Sequence, residues 1–272
     1  MLTVVCFSIW HNVFTQNNSL LVVHFYDVGQ GDAIFIETPT HHQILIDGGP
    51  DSTILEKLGR DLSFFDRSLD LVILTHPDSD HLNGLIDVLQ SYHIDKIIYT
   101  GIKDDLAAYK FWQELIKKKH IPVIFAQANE RIKISQNLWI DILYPFENLV
   151  GQSFKKTNNT SVVCRLVFGK DSFLLTGDID ISVEKQLIKF YNLKSNVLKV
   201  SHHGSKYSTS QTFLKAVLPQ MAVISVGRKN RYGHPHRETL KRLEGIHLFR
   251  TDINGDIEIL TDGYHLAVKT LY

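Results

Sequence analysis

The hexapeptide His76-Pro77-Asp78-Ser79-Asp80-His81 places two imidazoles and two carboxylates within six positions. All four side chains coordinate hard or borderline divalent metals. The run before it, residues 69–74, is nearly continuous in apolar side chains and reads as a buried strand. After it, Leu82, Leu85, Ile86 and Leu89 recur at helical spacing over residues 82–90. The cluster therefore falls on a strand-to-helix turn. Side chains can converge there on one point, and the helix N-terminus favours a bound anion. A solvated acidic turn accounts for Asp78 and Asp80 but not for the histidines that bracket them. A calcium loop fails, because the series starting at Asp78 runs into Leu82 and lacks its closing glutamate.

Around this turn the pattern alternates between strands and helices. Residues 20–26, 32–38 and 43–46 read as short strands rich in Val, Ile and Phe. Asp47-Gly48-Gly49 ends the third with two residues that let backbone approach closely. A short helix capped by Asp51 or Ser52 runs to position 58. Residues 95–100 read as a strand and 104–120 as a long amphipathic helix, with Leu106, Tyr109, Trp112, Leu115 and Ile116 on one side. Strands follow at 121–125, 131–134 and 138–144, then a polar loop over 151–160. A hairpin spans 162–168 and 172–176; a helix at 183–191 leads to a strand at 196–200, and that pattern repeats to 226. Strands at 255–260 and 264–270 close the chain. Strands precede helices in two successive halves without a repeat or linker, which supports an α/β or α+β class.

The hexapeptide resembles the His-x-His-x-Asp-His signature of the metallo-β-lactamase superfamily, with aspartate at the second histidine. That variant resembles the hydrolase domain of ComEC-type DNA-uptake proteins and the related phosphorylcholine esterases. The resemblance implies an αββα sandwich of two mixed sheets flanked by helices, covering the chain from about residue 20. The domain reading is an N-terminal segment over 1–18, a first strand or the stump of a membrane helix, and one hydrolase domain over 19–272. It also implies two divalent ions, Zn²⁺ or Mn²⁺. His76, Asp78, Asp80, His81, Asp178 and His202 stand as metal ligands, and Asp80, His203 and His234 as catalytic groups. Asp178 ends an apolar strand and resembles the bridging aspartate. In Ser201-His202-His203-Gly204, adjacent residues on an extended segment point opposite ways, so one histidine ligates and His202 is preferred. Asp27, Asp32, Asp47, Asn159 and Ser161 are read as supporting the ligands. Asn158-Asn159-Thr160-Ser161 stands where other members supply a histidine. Replacing imidazole by oxygen donors makes Mn²⁺ more competitive with Zn²⁺.

Acidic and basic residues balance at 29 each, but unevenly along the chain. Between Lys199 and Arg242, nine basic residues meet one acid, Glu238, so that segment is +8 and the remainder −8. Lys206, Arg228, Lys229 and Arg231 are the candidate contacts to an anionic partner. A hydrophobic share of 44% with 21% charged residues is that of an ordinary globular chain. Cys6 and Cys164 provide neither a disulfide framework nor metal spacing, so no disulfide partner is expected.

The leading functional reading is a metal-dependent phosphodiesterase or nuclease degrading DNA, in which the metals activate water to attack the phosphodiester. The alternatives are a small-molecule phosphodiesterase of the phosphorylcholine-esterase kind and a non-catalytic, metal-stabilised binding module. If the chain is cut from a ComEC-type protein, its partner is a membrane channel domain and its place the outer face of the bacterial plasma membrane. A stand-alone chain would be cytoplasmic.

Overall fold

The apolar runs assemble into two large mixed sheets stacked face to face, with helices outside. The computed structural model describes residues 20–271. The expectation for 1–18 and Cys6 falls outside those residues. No described helix is long and apolar enough to cross a membrane.

The first sheet has eight strands in the order Leu266–Leu271, Asp256–Thr261, Leu21–Phe25, Ile34–Glu37, Gln43–Ile46, Leu71–Ile73, Ile97–Tyr99 and Val123–Phe125. The second has seven: His247–Arg250, Met221–Ile224, Val197–Lys199, Asp171–Leu175, Val163–Phe168, Leu138–Tyr144 and Arg131–Lys133. From Gln43–Ile46 onward the first sheet is parallel, and so are the first four strands of the second. The remaining pairings in both large sheets are antiparallel.

Side chains alternate across each strand, so each sheet serves two cores. Between the sheets, Leu21, Val23, Phe25 and Ile259 share a core with Ile140, Ile142, Leu166 and Phe173. On the outer face of the first sheet, Ile54, Leu85, Tyr109 and Trp112 bury the apolar sides of helices Thr53–Asp61, Ser79–Ser91 and Ala107–Lys118. On the outer face of the second, Val183, Leu187, Phe213 and Leu214 do the same for helices Ile181–Phe190 and Gln211–Val217. Each fully buried Leu, Ile or Phe contributes roughly 1.5–3 kcal/mol relative to exposure, and a one-residue slip would turn the whole apolar set to the other face, so burial specifies the register.

Three details differ from the sequence expectation. The long helix starts at Ala107, because the Leu106 amide donates to Asp104 Oδ1 at 2.8 Å and the chain turns there; Leu106 is 45% exposed and lies off the buried side. The short helices Arg237–Arg242 and Thr251–Asn254 and the edge strand His247–Arg250 carried no apolar period to read. The polar stretch expected as loop contains a 3₁₀ turn, Thr157–Thr160.

This topology brings the C-terminal ends of parallel strands from both sheets to one rim, the place where open α/β sheets bind ligands. Asp47, His76, Asp178 and His203 follow four such ends. The helix Ser79–Ser91 is clamped against that rim. The Gly48 amide donates to the His81 carbonyl at 2.8 Å, and the Gly84 amide to the Gly49 carbonyl at 3.0 Å. A Cβ on Gly84 would stand 2.0 Å from the Gly48 oxygen, so glycine is required for this approach.

Candidate metal centre

Three histidines meet at the rim with the same division of labour between their ring nitrogens. His81 Nδ1 donates to Asp47 Oδ2 at 2.7 Å, and His203 Nδ1 donates to the Ser225 carbonyl at 2.8 Å. His76 Nδ1 lies 3.0 Å from Thr75 Oγ1 and 3.3 Å from Ser161 Oγ. In each ring Nε2 is buried and has no hydrogen-bond partner. With Nδ1 held as the donor, the neutral form of each ring carries its lone pair on Nε2, the arrangement of a metal-ligating imidazole.

The Nε2 atoms converge on one carboxylate. Asp178 Oδ2 is 3.4 Å from His81 Nε2 and 3.2 Å from His203 Nε2. Asp80 Oδ2 is 3.4 Å from His203 Nε2. Two triples, His76-His81-Asp178 and Asp80-His81-His203, each present their donor atoms within 4.8 Å of one another. Both fit a divalent ion by donor type and by orphaned nitrogens. A third triple, Asp32-Asp47-His81, is equally tight, but a cation already sits against it. Lys199 is fully buried, and its ammonium contacts Asp32 Oδ2, donates to the Gly177 carbonyl at 3.0 Å and reaches Asp178 Oδ1 at 3.4 Å.

Asp78 occupies the N-cap position of helix Ser79–Ser91 without capping it through its side chain. Its carboxylate faces the site instead. Thr157 Oγ1 donates to Oδ1 at 2.5 Å, and Oδ2 lies 3.7 Å from His76 Nε2. Asp78 belongs to none of the tight triples. Ser161 supports the site directly: besides His76, its hydroxyl accepts from the Asp178 amide at 3.1 Å. Asn159 does not reach the cluster; it exchanges hydrogen bonds with Asp180, at 2.9 and 3.0 Å. Asp27 is likewise a loop residue, accepting from the Gly29 amide at 3.2 Å.

Adjacent side chains point opposite ways, with His202 as the ligand, only on an extended segment, and the backbone here is not extended. His202 (φ 51°, ψ 48°) and His203 (φ 51°, ψ 26°) are both left-handed within the 3₁₀ turn Ser201–Gly204. This turns His203 into the cluster. His202 belongs to neither tight triple, and its ring faces His234, 5.5 Å between centroids.

A model of the metallo-beta-lactamase superfamily matches residues 26–228. The chain belongs to that superfamily. It is 31% identical over 258 residues to ComE operon protein 3 of Bacillus subtilis, covering 87% of this chain and 32% of that protein. It is 32% identical over 253 residues to competence protein ComA of Neisseria gonorrhoeae, covering 89% of this chain and 32% of that one. The chain thus spans about a third of the length of these two relatives. Among solved structures, the metallo-beta-lactamase fold protein YhfI of Bacillus subtilis superposes with a TM-score of 0.55 at 14% identity, over 85% of this chain and 95% of that one. That likeness shows the shared fold.

Electrostatics couples the groups of this cluster. Burial pushes His81 toward the neutral form, but Asp178 and Asp47 outweigh it and raise its pKa well above the usual value. Burial also opposes charge on His203, yet Asp178, Asp80 and Asp32 raise it to about 10. Asp178 goes the other way: despite burial, His203, His81 and Lys199 hold it well below the carboxylate range. Lys199 stays protonated because Asp32 and Asp178 overcome its desolvation.

The basic flank is thinner than the sequence count suggested. Lys199 is internal, and Arg242 is tied to the Ser208 carbonyl at 3.0 Å and Thr239 Oγ1 at 2.8 Å. Lys206, Arg228, Lys229 and Arg231 are exposed. Arg228 Nε donates to the Asp252 carbonyl at 3.2 Å. The last three sit on the loop that ends at His234, whose ring centroid is 6.3 Å from that of His203. Burial and the neighbouring imidazoles lower the His234 pKa to about 4, so it is neutral at pH 7.

Proposed function

We propose that this chain is a metal-dependent phosphodiesterase that cleaves DNA without sequence preference. The observation that carries the reading is the set of three buried, unpartnered Nε2 atoms gathered about Asp178, those of His81 and His203 within 3.4 Å of its Oδ2. One ion would be held by Asp80, His81, His203 and Asp178. A second would be held by His76, Asp78 and the same Asp178. With fewer protein donors and more oxygen, the second position binds more weakly and accepts Mn²⁺ as well as Zn²⁺. When bound, the ions supply Lewis acidity and lower the pKa of water to near neutral.

The chain's own residues do the rest. Asp47, the Ser225 carbonyl, Thr75 and Ser161 hold the three imidazoles in their ligating tautomers. His234, neutral beside His203, is placed to accept or return a proton at its unpartnered Nδ1. Substrate attraction comes from the loops. Two divalent ions and Lys199 carry five positive charges against Asp32, Asp47, Asp78, Asp80 and Asp178, so the centre sums to zero. Lys206, Lys229 and Arg231 then provide the pull on a polyanion. Similarity to the two competence proteins supports DNA as that polyanion and a membrane-borne partner as its source.

A small choline-type phosphodiester is the second reading. A quaternary ammonium is recognised by aromatic faces free of other cations. Here a cation stands beside each of two exposed tyrosines, Lys206 Nζ 5.3 Å from the Tyr207 ring and Arg231 5.0 Å from the Tyr232 ring, and like charge repels an ammonium. That favours DNA. The test is metal content and DNA cleavage of the wild type and Asp178→Ala. The variant should lose at least one ion and about three orders of magnitude or more in turnover, the scale of removing a key electrostatic stabiliser. Full metal and full activity in Asp178→Ala would end the dinuclear reading, and metal binding without any cleavage would leave a binding module.

A further inference from the structure

We infer that the loop over residues 227–236 carries a stacking site for an unpaired nucleobase, centred on Tyr232. The choice of ligand rests on the phosphodiesterase reading; the geometry does not.

Tyr232 is 49% exposed, yet its ring is held in place. Arg231 packs its guanidinium 5.0 Å from the ring centroid and donates to the phenol oxygen at 2.9 Å. On the other side in sequence, the ring stacks with His234 at 5.7 Å and 23°. His234 in turn lies 6.3 Å from His203. Tyr232 is thus linked through His234 to the candidate metal centre, with about half of its surface open to solvent.

One residue builds the loop. Asn230 Oδ1 accepts from the amides of Tyr232 and His234 at 3.2 and 2.9 Å, while Nδ2 donates to the carbonyls of Gly227 and His234 at 2.9 and 2.7 Å. A ring fixed this way loses little further freedom when a ligand stacks on it, so less of the contact energy is offset by ordering. A second loop repeats the composition. Phe154, 37% exposed, precedes Lys155 and Lys156, and that loop runs into Thr157, which holds Asp78.

Flat, exposed rings beside cations suit a nucleic-acid strand, whose bases stack while its phosphates pair with Lys and Arg. Paired bases in a duplex are already stacked and present only their edges in the grooves. The ligand class is therefore single-stranded DNA, or a frayed end, with one base on Tyr232 and its phosphates toward the metal centre.

The test uses metal-loaded protein and nuclease-resistant phosphorothioate chains of equal length: oligothymidylate, an abasic chain and a duplex. The wild type should bind oligothymidylate about tenfold or more tighter than the abasic chain, the scale of one base stacked on an aromatic ring. Tyr232→Leu should bring that ratio close to one with affinity for the abasic chain kept, and Tyr232→Trp should retain it. Equal affinity of the wild type for the two single strands, preference for the duplex, or equal weakening of both single strands in Tyr232→Leu would overturn the site. Turnover of a chromogenic phosphodiester by the wild type is read separately. A kept binding ratio without turnover supports the stacking site and sinks only the hydrolytic reading.

Discussion

Lys199 takes one oxygen of Asp178, at 3.4 Å from Oδ1, and leaves Oδ2 facing His81 and His203. A buried lysine thereby fixes which carboxylate oxygen is offered to the imidazoles, and it balances Asp32 at the same time. Replacing it leaves the buried Asp32 carboxylate with only His203 and His81, at 3.5 and 3.8 Å. Lys199→Met should cost about 3–5 kcal/mol of stability in chelator, the range for breaking a buried ion pair from one side. Denaturant unfolding measures it. Lys199→Met with Asp32→Asn should recover at least half, and a single-variant loss under about 1 kcal/mol would show that Lys199 is not compensating Asp32.

The two neighbouring histidines are expected to separate cleanly. His203→Ala removes a buried Nε2 from the Asp178 cluster and should lower bound metal by one equivalent. His202→Ala should keep the metal content of the wild type, because its ring faces His234. Elemental analysis after dialysis reads both. The reverse pattern would restore His202 as the ligand.

Stability should respond to pH with opposite signs in chelated and metal-loaded protein. His203 in the folded chain has a pKa raised to about 10, above its ordinary 6.5. A raised folded-state pKa stabilises fully below the unfolded value and is lost as pH rises through the folded one. Chelated protein should therefore lose stability between pH 6.5 and about 10. Metal binding needs His81 and His203 deprotonated, so affinity should rise over the same window and binding should release protons. Melting curves and titration calorimetry in buffers of different ionisation enthalpy test the pair of signs. Metal affinity that is flat with pH would contradict it.

Lys229 is exposed on the loop that leads to His234. If it meets a phosphate, Lys229→Ala should reduce the slope of log affinity against log salt by about 0.7 for a single strand or 0.9 for a duplex. Metal content should not change. An unaltered slope would place the DNA track elsewhere.

Much of this was legible from residue order because the periodicities are strong. The hexapeptide between an apolar run and a helical period located the rim, and strand Gln43–Ile46 falls where the pattern put it. In the sequence Lys199 enters only the local charge count. Its signal was available: a lysine inside Val197-Leu198-Lys199-Val200 must either leave the strand or find a buried carboxylate. The choice between His202 and His203 was not legible. It depends on two successive left-handed residues, for which histidine has no strong local preference. Asn159 and Ser161 look alike as polar loop residues, and only the 3₁₀ turn decides which one faces His76.

The rim is also a seam. His76, Asp80 and His81 come from the first sheet and its helix, Asp178 and His203 from the second, while the hairpin Asp256–Thr261 and Leu266–Leu271 returns to pair beside Leu21–Phe25. Neither half of the chain owns a complete ligand set. A polypeptide nicked in the exposed stretch over residues 151–156 would yield two fragments, each with half a chelate, and the C-terminal one with a hairpin lacking its neighbour strand. Divalent metal would then add to the strand pairing and the shared core that join the fragments, and their association would tighten as metal concentration rises.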